Sequence, residues 1–144
     1  MIKKVLIDTD VLLDVFLGRE PHLVHSQMVL LRLDETPLMG CVTSTIVVNV
    51  FYHLRKNKGV ELAFECIEDL ITNDSITLLA VDKTVLMNAL YAGMSDYEDA
   101  VQAAAAEREQ IDLIVTRNLR DFKNSPVRAV SPKEFLTILA QNNN

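Results

Sequence analysis

The sequence has no tryptophan and only two cysteines, four glycines and four prolines among 144 residues. Neither Cys41 nor Cys66 belongs to a metal-binding or redox spacing, and the three histidines do not complete a zinc ligand set. No apolar run approaches the roughly 18 residues of a membrane span. The first predicted strand also begins too close to Met1 to leave room for a secretory signal. We therefore expect a cytoplasmic protein without a membrane partner.

Positive charge is also scarce, because 14 lysines and arginines face 20 aspartates and glutamates, for a formal net charge of −6. This balance argues against tight nucleic-acid binding through bulk electrostatics, although an enzyme can meet phosphate through bound cations and local basic residues. The contents of 49% apolar and 24% charged residues are ordinary for a soluble globular protein. No repeat or linker interrupts the chain, so its length favours one domain over residues 1–144.

Short apolar runs alternate with amphipathic segments along the chain, which predicts an α/β fold. Strands are predicted at 4–7, 39–43, 76–80, 113–116 and 127–130. Helices are predicted at 10–17, 22–33, 44–58, 60–71, 82–92, 97–110 and 118–122, and the capping sequence 131–134 starts a last helix before a polar, fraying tail at 141–144. Ser44 and Asp82 are the predicted N-caps of two of these helices. The pattern indicates a three-layer α/β/α sandwich with a mostly parallel central sheet.

Asp8 closes the apolar run 5–7, so a carboxylate follows a short buried strand. Open α/β sheets place their ligand sites at such strand ends. A buried carboxylate costs several kcal/mol unless a cation, a donor or a proton compensates it. We therefore predict Asp8 as a site residue, while Asp10 is expected to cap the next helix and Asp14, one turn later, to face solvent.

A second acidic group opens the predicted helix at 97–110. Two capping boxes overlap there, one from Ser95 and Glu98 and the other from Asp96 and Asp99. Capping cannot occupy all of these side chains. Asp99 shares a helix face with Gln102, Ala103 and Ala106 in an alanine-rich helix, so its carboxylate should point inward.

Two asparagines and a further acid complete the candidate set. Asn118 and Asp121 follow the predicted strand 113–116. Asn118 can cap a short helix, and both residues can serve the site; the two interpretations are compatible, because a strand end that carries ligands also needs a cap. Asn49 lies within an otherwise strongly apolar helix. If buried, its amide needs a partner, such as the backbone, a carboxylate or a bound water.

In their order and spacing, these segments resemble the PIN domain, the nuclease fold of toxin ribonucleases in bacterial toxin–antitoxin pairs (the VapC-like group). The resemblance rests on Ile7–Asp14, on Thr43–Thr45 with Asn49, on Asp96–Ala100 and on Thr116–Phe122. It implies that acids from several elements gather around a divalent metal, that the partner is a small antitoxin, and that the protein forms a homodimer.

The family positions carry over onto this chain with two departures. The first-strand acid and the later-helix acid fall on Asp8 and Asp99. Asn49 and Asn118 stand where the family usually has acids, as in a PIN subgroup that lacks the full acidic quartet. Asp121 can restore one missing charge, and Asp96 or Glu98 the other.

The residue types suit phosphodiester hydrolysis independently of the resemblance. The reaction needs stabilised phosphate charge, an activated water and a neutralised leaving oxygen, which Mg²⁺ or Mn²⁺ can supply from oxygen ligands. Asp8 and Asp99 are the expected principal ligands and Asp96 a supporting one. Arg117, Arg120 and Lys123 are either phosphate contacts or exposed charges of a surface turn.

The leading hypothesis is thus a metal-dependent ribonuclease that cleaves RNA. The two asparagines motivate an alternative, an RNA-binding PIN domain that has lost turnover. A phosphatase of the haloacid-dehalogenase type is a weaker third, since Asp8-Thr9-Asp10-Val11 matches its Asp-x-Asp start but the required later lysine and Asp pair are not evident. A response-regulator receiver fits worse, because no aspartate ends the third strand.

Overall fold

The computed structural model describes residues 1–142. In that range, strands and helices alternate as the apolar periodicity predicts. The strands are β1 (Lys4–Ile7), β2 (Met39–Thr43), β3 (Ile76–Leu79), β4 (Leu113–Val115) and β5 (Ala129–Val130). The helices are α1 (Thr9–Leu17), α2 (Leu23–Glu35), α3 (Ser44–Lys58), α4 (Val60–Thr72), α5 (Lys83–Leu90), α6 (Tyr97–Arg108) and α7 (Pro132–Asn142), with a 3₁₀ turn at Leu119–Phe122.

All strand pairs of the sheet are parallel, in the order β3-β2-β1-β4-β5. The central strand is β1, and its Leu6 pairs with Cys41 of β2 on one side and with Ile114 of β4 on the other. The chain moves outward from β1 through β2 to β3 and then returns to place β4 on the opposite side of β1. The gap between the ends of β1 and β4 is therefore the topological switch point, where open α/β sheets bind ligands. The predicted α/β/α sandwich is confirmed.

The core forms where the sheet meets its helices. Every residue of β1 from Val5 to Ile7 is fully buried, as expected for a strand with helices on both faces. Helix α6 packs against the rest of the protein through small side chains. Three of them, those of Ala103, Ala105 and Ala106, have no exposed surface. Because these side chains are short, the helix lies close to its neighbours and its first turn reaches the end of the sheet.

Helix caps and the C-terminal tail differ in detail from the sequence-based predictions. Thr43, not Ser44, caps α3: its Oγ1 accepts a hydrogen bond from Ile46 N at 3.0 Å. Thr43 is still extended at the end of β2, the conformation that a capping residue needs. Asp10 is likewise not a cap, because α1 begins one residue earlier with Asp8 at the N-cap position. Of the predicted fraying tail, 141 and 142 belong to α7, while 143 and 144 lie outside the described residues.

Within residues 1–142, no helix combines the length and the apolar character required to cross a membrane.

Loss of core packing at the central strand should destabilise the whole sheet. Leu6 is fully buried on β1, whereas Leu90 on α5 is 60% exposed. We expect Leu6→Ala to lower the free energy of unfolding by about 2–5 kcal/mol, and Leu90→Ala by less than about 0.5 kcal/mol. Urea denaturation of both variants measures the difference, and equal losses would contradict the burial of β1.

Candidate active site

A cleft of about 410 Å³ opens at the ends of β1 and β4. Four of the side chains that line it are acids: Asp8, Asp10, Glu98 and Asp99. Asp8 follows β1 and Asp99 lies in the first turn of α6, so carboxylates 91 positions apart in the chain share one cavity. The predicted convergence of these two residues at one edge of the sheet is observed.

Backbone and side-chain bonds hold Asp8 in place. Its N–H donates to Val115 O at 3.0 Å, which extends the pairing of β1 with β4 by one residue. Its Oδ1 accepts from Thr9 N at 2.9 Å, and its Oδ2 accepts from the Thr116 hydroxyl at 2.8 Å. Thr116 is itself fully buried after β4. Asp8 is only 6% exposed, and its carboxylate therefore has a fixed orientation at the cleft.

The start of α6 separates a capping acid from an inward-facing acid. Asp96 occupies the N-cap position, where its Oδ1 accepts from Asp99 N at 2.9 Å. The side chain of Asp99 is therefore not needed for capping, and it points inward with 7% of its surface exposed. Ser95 makes no capping bond in the described structure, so of the two overlapping capping boxes the one that begins at Asp96 forms the cap.

The Asn118 side chain connects Asp121 to Asp99. Its Nδ2 donates to Asp121 Oδ2 at 2.7 Å and to Asp99 Oδ2 at 3.4 Å. It occupies the N-cap position of the 3₁₀ turn, but its side chain makes no capping bond there. Asp96, Asp99 and Asp121 each have an oxygen within 4.8 Å of the others, a spacing that one cation can span.

The electrostatics of the cleft favour protonated acids when no cation is bound. The pKa of Asp8 is raised to about 7, mainly by burial and further by the charges of Asp10 and Glu98, against the opposing hydrogen bonds from Thr116 and Thr9. Burial also raises the pKa of Asp99 to about 8, assisted by the charges of Asp8, Asp96, Asp121 and Glu98. Although Arg19 and Arg117 also line the cleft, no cationic side chain is among the main causes that set the pKa of Asp8 or Asp99, so these two carboxylates lack a compensating positive charge.

The prediction that Asp14 faces solvent is wrong, because its side chain is fully buried. Arg117 binds it through Nε at 2.7 Å and Nη2 at 2.9 Å, Arg19 Nε lies at 3.0 Å, and Ser26 Oγ donates at 2.9 Å. Burial opposes the ionisation of Asp14, but the hydrogen bonds of Arg117 and Ser26 and the two guanidinium charges outweigh it. The pKa of Asp14 is therefore lowered.

Of four further predicted site residues, one lines the cleft but is bound to another residue, and three do not line it. Arg117 lines it, but two of its nitrogens are bound to Asp14. Arg120 and Lys123 are exposed around the 3₁₀ turn and do not line the cavity. Asn49 is half-buried on α3, and its Nδ2 is buried without a partner among the described residues. The cleft wall on α3 is instead formed one turn later, by His53.

Sequence reasoning missed Thr116, Arg19, His53 and the role of Asp14. Thr116 directly follows β4, as Asp8 follows β1, so the same strand-end argument could have selected it. Asp14 lies in a helix that is apolar on nearly all sides, which signals that its charge is buried and needs a partner. No local signal marks Arg19 or His53, because their place at the cleft depends on tertiary contacts.

A family model described as the PIN domain matches residues 4–120. This match covers most of the chain, including Asp8, Asn49, Asp99 and Asn118, and the chain therefore belongs to the PIN domain family. No curated protein matches the chain.

Solved structures with the same fold include several toxin–antitoxin proteins. A toxin–antitoxin complex from Klebsiella pneumoniae has a TM-score of 0.65 at 19% identity, over 89% of this chain and 97% of that chain. DNA-bound VapBC from Salmonella typhimurium has a TM-score of 0.67 at 19% identity, over 92% and 99%. The toxin VapC20 from Mycobacterium tuberculosis, which cleaves the sarcin–ricin loop, has a TM-score of 0.64 at 9% identity, over 76% and 86%. At these identities the similarity shows a shared fold.

The buried ion pairs of Asp14 should contribute to stability at neutral pH. We expect Asp14→Asn to lower the free energy of unfolding by about 2–4 kcal/mol, because two arginines lose a charged acceptor. Since the pKa of Asp14 is lowered by folding, this contribution is present above the ordinary carboxyl value of 3.8 and is lost as the pH falls through the folded pKa. Urea denaturation at pH 7 and pH 3 measures both effects, with the exposed Asp74→Asn as the control. A wild-type advantage that grows in acid would contradict this account.

Because folding raises the pKa of Asp8, replacing its carboxylate should change the free energy of unfolding in the opposite direction. In the metal-free protein, folding keeps Asp8 protonated between its ordinary value of 3.8 and about 7, so stability falls as the pH rises through this interval. We expect Asp8→Asn to be more stable than the wild type by about 1–3 kcal/mol at pH 8 in EDTA, and equally stable near pH 4. Thermal or urea unfolding at the two pH values tests this. A variant less stable than the wild type at pH 8 would show that the carboxylate is compensated within the fold.

Proposed function

We propose that this chain is a divalent-metal-dependent ribonuclease that hydrolyses RNA phosphodiester bonds, and that it acts as the toxin of a toxin–antitoxin pair. The observation that carries the proposal is the convergence of Asp8 and Asp99 in one cleft, with pKa values raised to about 7 and about 8. Membership of the PIN domain family supports the reaction class. One structural neighbour, VapC20, is a toxin that cleaves the sarcin–ricin loop, which supports RNA as the substrate class.

The acidic side chains in the cleft and next to it fit a hard divalent cation. Mg²⁺ and Mn²⁺ prefer oxygen ligands, and Mg²⁺ needs only one or two carboxylates because it retains several waters. Asp96 and Asp99 would hold the ion together with Asp121, whose carboxylate lies in the same group. Asp8 faces the cleft beside them, and Asp10 Oδ1 is buried without a hydrogen-bond partner in the described structure. When bound, the cation supplies charge neutralisation for the phosphate and assists ionisation of the attacking water.

The protein itself positions these groups for an anionic substrate. The Thr116 hydroxyl and the Thr9 N–H orient the Asp8 carboxylate, so that it does not need to reorganise when substrate enters. The Asn118 amide holds Asp99 and Asp121 together without adding charge. Arg120 and Lys123 lie exposed on the neighbouring turn, where they can contact flanking phosphates of a longer strand.

A second candidate function is an RNA-binding PIN domain without turnover. Two features favour it: Asn49 does not line the cleft, and the Asn118 amide binds two carboxylates where an additional acid would extend the ligand set. Such a domain would bind RNA but would not require a cation at the acidic group.

The proposal also includes an antitoxin and a second copy of the chain as partners. The antitoxin is supported by structural neighbours that are toxin–antitoxin complexes. Exposed apolar side chains on α3 and α4, including Tyr52 at 59% and Phe64 at 62%, provide surface that a protein partner could cover.

Cleavage of single-stranded RNA tests the reaction and its acids. We expect hydrolysis in Mg²⁺ or Mn²⁺ and none in EDTA. Asp8→Asn and Asp99→Asn should each lower kcat/KM by roughly 10²–10⁴-fold, because Asp99→Asn removes a proposed cation ligand and Asp8→Asn removes a neighbouring negative charge that favours the cation. The exposed Asp34→Asn, which removes an equal charge outside the cleft, should keep activity within about twofold.

Calorimetric titration with Mn²⁺ separates the two candidate functions. A metal-dependent nuclease should bind the ion, and Asp99→Asn should weaken that binding. Equal cleavage by the wild type and Asp8→Asn would remove Asp8 from the mechanism. RNA binding without any heat of Mn²⁺ binding at millimolar concentration would favour the non-catalytic domain.

A further inference from the structure

Arg117 lines a second, smaller pocket as well as the acidic cleft. This pocket has a volume of about 140 Å³, which is room for several water molecules. Its walls come from the start of α2 and the start of α7, and they carry the basic side chains of His22, His25 and Lys133. We call it the basic pocket.

The donors of the basic pocket are not used by the fold. Across residues 1–142, the side chains of His22, His25 and Lys133 form no hydrogen bond or ion pair with another residue. Arg117 binds Asp14 through Nε and Nη2, which leaves Nη1 without a partner in the same range. Four nitrogen-bearing side chains thus border one cavity with free donor capacity.

The local charge is positive although the whole chain is acidic. Asp14, the acid behind the pocket wall, is matched by two guanidinium groups, those of Arg117 and Arg19. Glu134, next to Lys133 in the sequence, is paired with Arg128 at 2.8 Å. With these acids compensated, Lys133 and the unmatched guanidinium favour an anion.

The helix end beside the pocket adds little to this preference. Pro132 has no N–H, Glu134 N donates to Ser131 Oγ at 3.1 Å, and Phe135 N donates to Ser131 O at 2.9 Å. Only the Lys133 N–H of the first turn remains free of these bonds. The selection of a ligand therefore depends on the basic side chains, not on the helix terminus.

We infer that the basic pocket binds a backbone phosphate of the RNA strand whose scissile phosphate occupies the acidic cleft. This inference rests on the proposed ribonuclease function. Because Arg117 borders both cavities, a ligand that fills them together must carry successive negative groups on a continuous chain, as a nucleic-acid backbone does. A cleft lined by carboxylates repels RNA outside the cation site, so flanking phosphates require positive side chains nearby.

Steady-state cleavage of an eight-nucleotide single-stranded RNA in Mg²⁺ tests the assignment. We expect Lys133→Gln and the double variant His22→Gln/His25→Gln to raise KM by about three- to tenfold while kcat changes by less than about twofold. Lys133→Gln should also reduce the slope of log affinity against log salt by about one. Lys58→Gln, the matched loss of one exposed lysine at the end of α3, should change neither quantity.

A binding measurement keeps the result separate from the proposed catalysis. The same RNA, carrying a fluorescent label, is titrated in EDTA, where a metal-dependent enzyme leaves it intact. If the wild type cleaves no RNA, the ribonuclease proposal fails, and weaker RNA binding by the pocket variants still supports the phosphate site. Unchanged KM and unchanged binding in these variants overturn the inference while leaving the ribonuclease proposal intact. Weakened binding of a labelled polyglutamate peptide with unchanged RNA binding also overturns it, in favour of an acidic protein partner.

Discussion

The cost of burying carboxylates is the constraint around which this molecule is organised. Three aspartates are almost completely buried near the ends of β1 and β4, and the fold treats them in two ways. Asp14 receives two guanidinium groups and a hydroxyl, and its ionised form is stabilised. Asp8 and Asp99 receive hydrogen bonds but no countercharge, and their ionised forms are destabilised. The first arrangement contributes to the stability of the fold. The second leaves two carboxylates without a countercharge, and an external cation can neutralise them.

The sequence allowed the fold and two of the central acids to be predicted because their signals are local. The alternation of apolar strands with amphipathic helices defines the layers, and Asp8 follows directly from its place after a buried strand. Asp99 follows from the alanine-rich face of its own helix. Each of these inferences needs only residues within about two helical turns, a range over which periodicity is informative.

The parts that could not be predicted depend on contacts between distant segments. The guanidinium that compensates the buried Asp14 carboxylate belongs to Arg117, which is 103 positions away in the chain. The place of His53 at the cleft depends on how α3 packs, and the switch from Ser44 to Thr43 as a cap depends on where β2 stops being extended. Asn49 is a further example, because its family position predicted a place at the cleft. The cavity wall on α3 is instead formed one turn later, by His53.

Helix α1 and its N-cap residue are attached to the residues after β4 at several points, and Asp8 and Asp14 form the outermost of them. Between these two, Asp10 Oδ2 accepts hydrogen bonds from Arg117 N at 3.0 Å and from the Thr116 hydroxyl at 3.4 Å. Asp8 accepts a hydrogen bond from Thr116, and six residues later Asp14 binds the next residue, Arg117. Each residue of an α-helix advances the side-chain direction by about 100° and the axis by 1.5 Å. Inserting or deleting one residue between the two aspartates would therefore turn one carboxylate away from its partner, whichever of the two contacts was retained. The number of residues between Asp8 and Asp14 is thus set by the geometry of the helix.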